Sequence, residues 1–492
     1  MMFDWFGIWR ELPHFAQFTS VLFIVNLMIA CTIIFLERKN PSATLAWIMI
    51  LFLLPIAGII FYFLFSQHIS RKRIFRLTRS EEEAIDGSLK EQMTDIKRGT
   101  YQFANPEAKR WKDMIHLNQL YGRAYYTQNN KITILTGGRH KFRTLLRDIE
   151  NATTSINIMY FIIKNDPVGR RFLEALTKKA REGVEVRLLM DAMGSRQIND
   201  RLLEDFIKAG GKRAYFFPPK FKIINIRFNY RNHRKLAVID GEVGYIGGFN
   251  IAREYLSMKK KFGFWRDTHL RVMGSCVQDI NARFLLDWRF AAKEDVKLSQ
   301  AYYSDVIEVG STGVQIVSSG PDSERVEVKR AYLKMITGAQ KNIYLQTPYF
   351  VPDASILEAL KMAAQSGVDV RIMIPCMPDH IFVYWATYSY VGELIRSGGR
   401  AFIYDRGFLH AKTIVADSEV ASVGSANFDR RSFMLNFEAN AFLYDGEEAR
   451  KLEAIFENDM GDCHELTLDL YQQRSLWIRF KESLARLLSD LL

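Results

Sequence analysis

The sequence predicts an α/β protein in which two related sheet-and-helix halves follow an apolar N-terminal hairpin. Three observations carry this. A strand–helix–strand–helix pattern runs twice along the chain, each run ends in a strand that opens on His-x-Lys, and two long uncharged stretches precede both.

The uncharged stretches come first. Phe18 to Leu36 is 19 residues and Pro41 to Phe65 is 25 residues without a charge, and about 20 apolar residues span a bilayer. Only Glu37, Arg38, Lys39 and Asn40 separate them. The expectation is a transmembrane hairpin over 1–70, with helices at about 18–36 and 41–65 and Pro55 and Gly58 as kink sites. A cleaved signal peptide fits less well, because its apolar core is shorter and no second run follows it. The hairpin connector carries Arg38 and Lys39. Its two flanks carry Arg10, Arg71, Lys72, Arg73, Arg76 and Arg79, so the count is six against two. The positive-inside rule then puts the bulk of the chain in the cytoplasm, and the basic cluster suits anionic headgroups. A net charge of +12 points to an anionic partner in any case. Cys31, Cys276, Cys376 and Cys463 form no CxxC pair and have no regular spacing, so they indicate neither a zinc ribbon nor a disulfide framework.

Residues 71–130 are charged and helix-favouring and read as a connector. The first half is expected over 131–300 and the second over 301–492. "INIMYFIIKND" (156–166) and "IYLQTPYFVPD" (343–353) read as buried strands, each followed by a helix that stops at glycine, "GRRFLEALTKKAREG" and "DASILEALKMAAQSG". Matching strands "GVEVRLLMD" (183–191) and "GVDVRIMIP" (367–375) come next. This order argues for a largely parallel sheet with packed helices, and its repetition argues for two related halves.

"NHRKLAVID" (232–240) and "LHAKTIVAD" (409–417) close the pattern. Strand side chains alternate, so His233 shares a face with Lys235, and His410 with Lys412. Asp240 and Asp417 sit seven places after the histidines, at the turns "DG" and "DS", and read as turn-building residues. A two-residue turn there sets His233 opposite Gly248 and His410 opposite Ser425, small residues that would leave room for a ligand. Asn250 and Asn427 each follow their histidine by 17 residues. Each half therefore offers an imidazole, an ammonium and an amide, a set that suits a phosphodiester: lysine and asparagine donate to its non-bridging oxygens, and imidazole attacks phosphorus or moves a proton. One His-x-Lys carries no weight, since a solvated strand end explains it. Two copies with one hairpin and one small-small-x-Asn ending do.

H-x-K-x4-D followed by G-[GS]-x-N, twice in one chain, resembles the phospholipase D superfamily. "NPSATLAWIMILFLLPIAGIIFYFLF", "QTPYFVPD", "FWRDTHLRV", "SFMLNFEAN" and "RFKESLARLLSDLL" are similar to the bacterial cardiolipin synthases within it. The resemblance implies two halves facing across a pseudo-twofold axis, one active site between them, and catalytic roles for His233, Lys235, Asp240, His410, Lys412 and Asp417. It implies transfer of a phosphatidyl group from one phosphatidylglycerol to another, giving cardiolipin and glycerol, through a phosphatidyl-histidine. It also implies a downstream acid that orients each histidine, for which Asp267 and Glu438 stand at offsets of 34 and 28. The partners expected are membrane phospholipids and not nucleic acid. No cofactor or metal is expected: the other histidines, such as His116, His140 and His269, show no metal-ligand spacing.

The rival readings are a phospholipase D-type hydrolase, a phosphatidyltransferase with another acceptor alcohol, a nuclease and an inactive scaffold. The hairpin disfavours the nuclease, and the complete motifs disfavour the scaffold. Two stretches stay outside this scheme. "FFPPKFKIINIRF" (216–228) suits headgroup contact and a buried strand equally. "LYQQRSLWIRFKESLARLLSDLL" (470–492) is amphipathic and is expected to pack on the domain.

Overall fold

A computed structural model describes residues 14–36, 41–65, 74–75, 77–218, 229–298, 309–323 and 325–489. The N-terminal helices form one compact unit and the two halves form another.

In the first unit, helix α1 (His14–Leu36) contains a 20-residue apolar stretch, Ala16–Phe35, long enough to cross a membrane. The expected second span is not continuous. It divides into α2 (Pro41–Leu53) and α3 (Pro55–Phe65), 13 and 11 residues long, each short of a bilayer. Pro55 is the cause: it has no N–H to donate, and its ring clashes with the carbonyl four residues back. The break is sharp. The Trp47 and Tyr62 rings meet at 5.5 Å, whereas 15 residues of straight helix would separate them by about 22 Å. Gly58 permits the fold-back, since a Cβ there would stand 2.8 Å from the Ile50 carbonyl oxygen. The connector 37–40, the basic residues 71–73 and 76, and most of 216–228 lie outside the described residues.

In the second unit, the 71–130 stretch is packed structure as far as it is described. Helix α4 (Arg79–Arg98) starts at a capping box between Thr78 and Glu81, and α5 (Lys112–Gly122) follows. Trp111, Met114 and Ile115 share one hydrophobic core with Val328, Ile336 and Ile343 of the second half.

The first half runs β1 (Thr127–Gly137), α6 (Gly138–Glu150), β2 (Ser155–Tyr160), α7 (Pro167–Arg181), β3 (Glu185–Asp191), β4 (Lys212–Phe216), β5 (Arg231–Asn232), β6 (Leu236–Ile239), β7 (Val243–Gly247), β8 (Phe264–Met273) and α8 (Cys276–Ala292). The second runs β9 (Thr312–Ser319), α9 (Glu327–Gly338), β10 (Asn342–Gln346), α10 (Ala354–Gln365), β11 (Asp369–Pro375), α11 (Ile381–Arg396), β12 (Arg400–Tyr404), β13 (Gly407–Leu409), β14 (Thr413–Ala416), β15 (Val420–Gly424), β16 (Asn436–Tyr444) and α12 (Gly446–Met460), and helix α13 (Leu476–Leu488) comes near the C-terminus. The expected boundary at 300 falls outside the described residues. Matching helices begin alike: the Asp166 and Asp353 carboxylates cap α7 and α10, and Gly183 and Gly367 end both turns at positive φ.

Strand order is β4-β3-β2-β6-β7-β8-β1 in the first half and β12-β11-β10-β14-β15-β16-β9 in the second. The two orders correspond strand for strand. The first strands, β1 and β9, pair antiparallel and join the sheets. Two short strands cross over. Strand β5 pairs parallel with the start of β16, and β13 with the start of β8, so the residue before each histidine motif is held by the other half.

The hairpin turns form over Asp240–Gly241 and Asp417–Ser418, all at positive φ. Glu242 N donates to Ile239 O at 3.0 Å and Glu419 N to Ala416 O at 3.1 Å. The ladder register nevertheless differs by one residue from the expectation: Leu236 faces Ile246 and Thr413 faces Val423. Glu242 and Glu419 belong to the connection, which is three residues long rather than two, and pairing stops before either histidine.

Candidate active site

Each histidine is fixed first by its backbone. His233 N donates to Phe437 O at 2.9 Å and His410 N to Arg266 O at 2.7 Å. The residues after those two acceptors are Glu438 and Asp267. The crossed strands therefore deliver each acid to the histidine of the other half. His233 Nδ1 lies 3.0 and 3.1 Å from the two Glu438 oxygens and 3.1 Å from Ser425 O. His410 Nδ1 lies 2.6 Å from Asp267 Oδ2. Offsets of 34 and 28 within each half paired Asp267 with His233 and Glu438 with His410; the contacts are the reverse, because the halves exchange strands at this point.

Both carboxylates are buried. They stay ionised because the lysines and histidines offset their desolvation, so Asp267 and Glu438 are both held below the usual carboxylate range. Burial pushes His410 down to about 4, helped by Lys412, and lowers His233 in the same way, helped by Lys235. Both imidazoles are thus uncharged near neutrality. With Nδ1–H committed to a carboxylate, Nε2 of each ring carries a free lone pair. Burial also lowers Lys412 to about 8 and Lys235 well below the ordinary lysine value. Lys235 Nζ donates to His233 O at 2.5 Å, and Lys412 Nζ to His410 O. Both ammoniums are desolvated, which strengthens their attraction for an arriving phosphate.

The small residues facing this site accommodate the acids. A Cβ at Gly248 would stand 2.0 Å from Asp267 Oδ1, and the Ser425 hydroxyl donates to Glu438 at 2.5 Å. The room expected for a ligand is occupied by carboxylate. Asp240 accepts from the backbone of Thr153, Thr154 and Ser155 at 2.8 to 2.9 Å. Asp417 accepts from Gln340, Lys341 and Asn342 at 2.6 to 3.2 Å and from Arg110 at 2.7 Å. Both aspartates therefore pin their hairpin to the starts of β2 and β10, away from the imidazoles. Asn250 accepts from Ile162 N at 3.0 Å and donates to the Tyr255 hydroxyl at 2.8 Å. Asn427 donates to Asp429 at 3.2 Å. Among the described residues each amide keeps one N–H beyond these bonds.

Sequence reasoning missed the aromatic wall. The Trp265, Tyr255 and Phe408 rings stand 5.2, 6.0 and 6.0 Å from the His410 ring, and Phe161 stands 5.0 Å from His233. Trp265 was within reach, since it precedes Asp267 by two residues on one strand. His269, two residues further, is buried without a hydrogen-bond partner on either ring nitrogen among the described residues, and burial keeps it uncharged. No three His, Cys, Asp or Glu side chains converge into a metal-binding group among the described residues.

Residues 145–288 and 332–460 match the family model described as cardiolipin synthase, PLD-like domain, and residues 24–67 match the phospholipase D-nuclease N-terminal model. A cardiolipin synthase of Listeria monocytogenes is 49% identical over 97% of this chain and 99% of its own. The major cardiolipin synthase of Bacillus subtilis is 47% identical over 96% of this chain and 98% of its own. Among solved structures, phosphatidylserine synthase of Haemophilus influenzae superposes with a TM-score of 0.58 at 14% identity. It covers 77% of this chain and 97% of its own, a likeness of fold.

Proposed function

The chain belongs to the cardiolipin synthase family of phospholipase D-like proteins, and we infer that it joins two phosphatidylglycerols into cardiolipin and releases glycerol. The observation that carries the mechanism is the crossed pair of carboxylate-bound histidines. Nε2 of one imidazole attacks phosphorus, and the P–O bond to glycerol breaks. The second imidazole, protonated once the anionic phosphate is bound, gives its proton to the departing oxygen. It then takes the proton from the hydroxyl of an incoming phosphatidylglycerol, whose oxygen displaces the histidine from phosphorus. Lys235, Lys412 and the spare amide protons of Asn250 and Asn427 balance the non-bridging oxygens. We assign His233 as nucleophile, because three acceptors around its Nδ1 hold the tautomer that leaves Nε2 free, and His410 as acid and base.

The test is the product made from phosphatidylglycerol alone by purified protein in vesicles. Cardiolipin and glycerol in equal amounts are expected; phosphatidic acid as the main product would make it a hydrolase. Turnover should persist in excess EDTA, since every step above is carried by side chains; loss restored by one divalent ion would overturn that scheme.

Helix α1 anchors the chain in the bilayer, and the catalytic halves face the cytoplasm. The Lys and Arg count supports this on either path of residues 41–65. If α2 and α3 align into a second crossing, the balance is six against two. If they stay folded back, Arg38, Lys39, Arg71, Lys72, Arg73, Arg76 and Arg79 lie together, seven against Arg10 alone. An Asn40→Cys variant probed with an impermeant thiol reagent separates the paths: labelling in intact cells means two crossings, protection means one. A cysteine at Arg79 should be protected on both.

A further inference from the structure

Helix α13 wears its apolar side outward. At 100° per residue, Ile478, Glu482, Ala485 and Ser489 form one face, and that face meets the domain. Glu482, Ala485 and Ser489 are buried. The Tyr390 and Ser489 hydroxyls meet at 3.0 Å, and Arg474 grips Glu482 at 2.8 and 2.9 Å. The opposite face holds Leu476, Trp477, Phe480, Leu484 and Leu487, exposed by 79, 63, 57, 43 and 75%. An ordinary surface helix would turn these five inward. The Trp477 and Phe480 rings stack at 5.6 Å and present one flat aromatic surface.

We propose that this face of α13, extended by Ile381 and Phe382 at the start of α11, seats the catalytic unit on an anionic lipid surface beside the active site. Three observations select a bilayer as the occupant. Exposed Arg479 and half-buried Lys481 flank the stripe on either side; Lys481 Nζ lies 5.3 Å from the Trp477 ring and 5.1 Å from the Trp385 ring. Cations beside an aromatic and leucine stripe match the headgroup and acyl layers of an anionic membrane. A second copy of the chain would instead bring like charges together on a protein whose net charge is already +12. The α11 end of the patch also neighbours the site. Ile381 and Phe382 are 65 and 54% exposed. They follow Asp379, whose carboxylate takes the Tyr349 hydroxyl and whose charge is felt at Lys412. A substrate headgroup could therefore reach the lysines while its acyl chains remain in lipid.

The choice of a lipid occupant rests on the phosphatidyl-transfer reading, so the decisive readout is independent of turnover. A fluorescent amino acid is placed at Phe480 in the full chain, and the protein is reconstituted into phosphatidylglycerol vesicles. Quenching by lipids spin-labelled high on the acyl chain, together with protection from aqueous iodide, is the expected result. Protection from iodide without lipid quenching would assign the face to a second copy and overturn the proposal; free access of iodide would overturn it as well. In parallel, the triple variant Trp477→Ser, Phe480→Ser, Leu484→Ser should raise KM for vesicle phosphatidylglycerol at least about tenfold and leave short-chain, detergent-dispersed substrate unchanged. Equal losses on both substrates would mean that the stripe serves the fold.

Discussion

His233 and His410 occupy equivalent strand ends, and their surroundings differ in three ways. Glu438 reaches His233 with both oxygens and is itself held by the Ser425 hydroxyl. Asp267 reaches His410 with one oxygen, sits against bare Gly248, and takes the Thr268 N–H at 2.7 Å. Lys412 approaches its own histidine's Nδ1 to 3.0 Å, and among the described residues His410 has three aromatic neighbours to one at His233. A glutamate is one methylene longer than an aspartate, so it needs a second anchor to present its oxygens squarely. The shorter aspartate needs empty space behind it. Two halves with one topology thus reach the same carboxylate–imidazole contact by different local means, which leaves the two imidazoles free to take different roles.

The largest effect tests those roles. His233→Ala should lose at least about 10⁴-fold in turnover and form no covalent adduct with a nitrophenyl ester of phosphatidic acid. His410→Ala should still form the adduct, because that leaving group needs little acid help, but should pass it to glycerol about 10²- to 10⁴-fold more slowly. Mass spectrometry of peptides decides it: an adduct on His410 in the His233→Ala protein reverses the assignment.

The crossed pairing gives the next effect. Glu438→Gln should slow adduct formation, and Asp267→Asn should slow transfer from the adduct, each by about 10²-fold. Pairing within each half would exchange the two phenotypes in single-turnover kinetics.

The pH response follows from burial. Both histidines have pKa values below the ordinary 6.5, His410 at about 4. A lowered histidine value keeps the neutral, nucleophilic form populated as pH falls. The rate of adduct formation on an activated ester should therefore stay level from pH 8 to below 6.5. A midpoint at 6.5 or above would contradict the buried geometry. The same sign governs stability: the unfolded chain binds these protons first, so stability contributed by the neutral rings is present above 6.5 and is lost as pH falls from there towards 4.

The smallest effect addresses the acids' supports. Ser425→Ala removes one hydrogen bond to a buried carboxylate and should cost about 1 to 3 kcal/mol of stability, with a several-fold loss in turnover. Gly248→Ala should be worse, because the new methyl meets Asp267 and has nowhere to go. Thermal melts of the two variants would rank them.

The strand and helix order of each half, the helix stops at glycine and the turn-building aspartates could all be read from sequence, because each depends on residues within about 20 positions of one another; His233 to Lys235 and His410 to Lys412, expected to open strands, instead link β5 to β6 and β13 to β14. The resemblance singled out Asp267 and Glu438, and both lie against an imidazole, each in the half opposite to the one expected. Four things only the tertiary structure decided. Which acid serves which histidine depends on β5 and β13 crossing to the opposite half, and no spacing within one half encodes an exchange between halves. The one-residue register shift depends on Glu242 and Glu419 joining the turns, which no local residue pattern distinguishes from a two-residue turn. The break at Pro55 was foreseen as a kink, but its angle depends on what Trp47 and Tyr62 can pack against. The outward face of α13 belongs with these: periodicity showed an amphipathic helix, and only the buried contacts of Glu482, Ala485 and Ser489 determined which side the protein keeps. Local chemistry is written in neighbouring residues; which surfaces meet is a property of the whole chain.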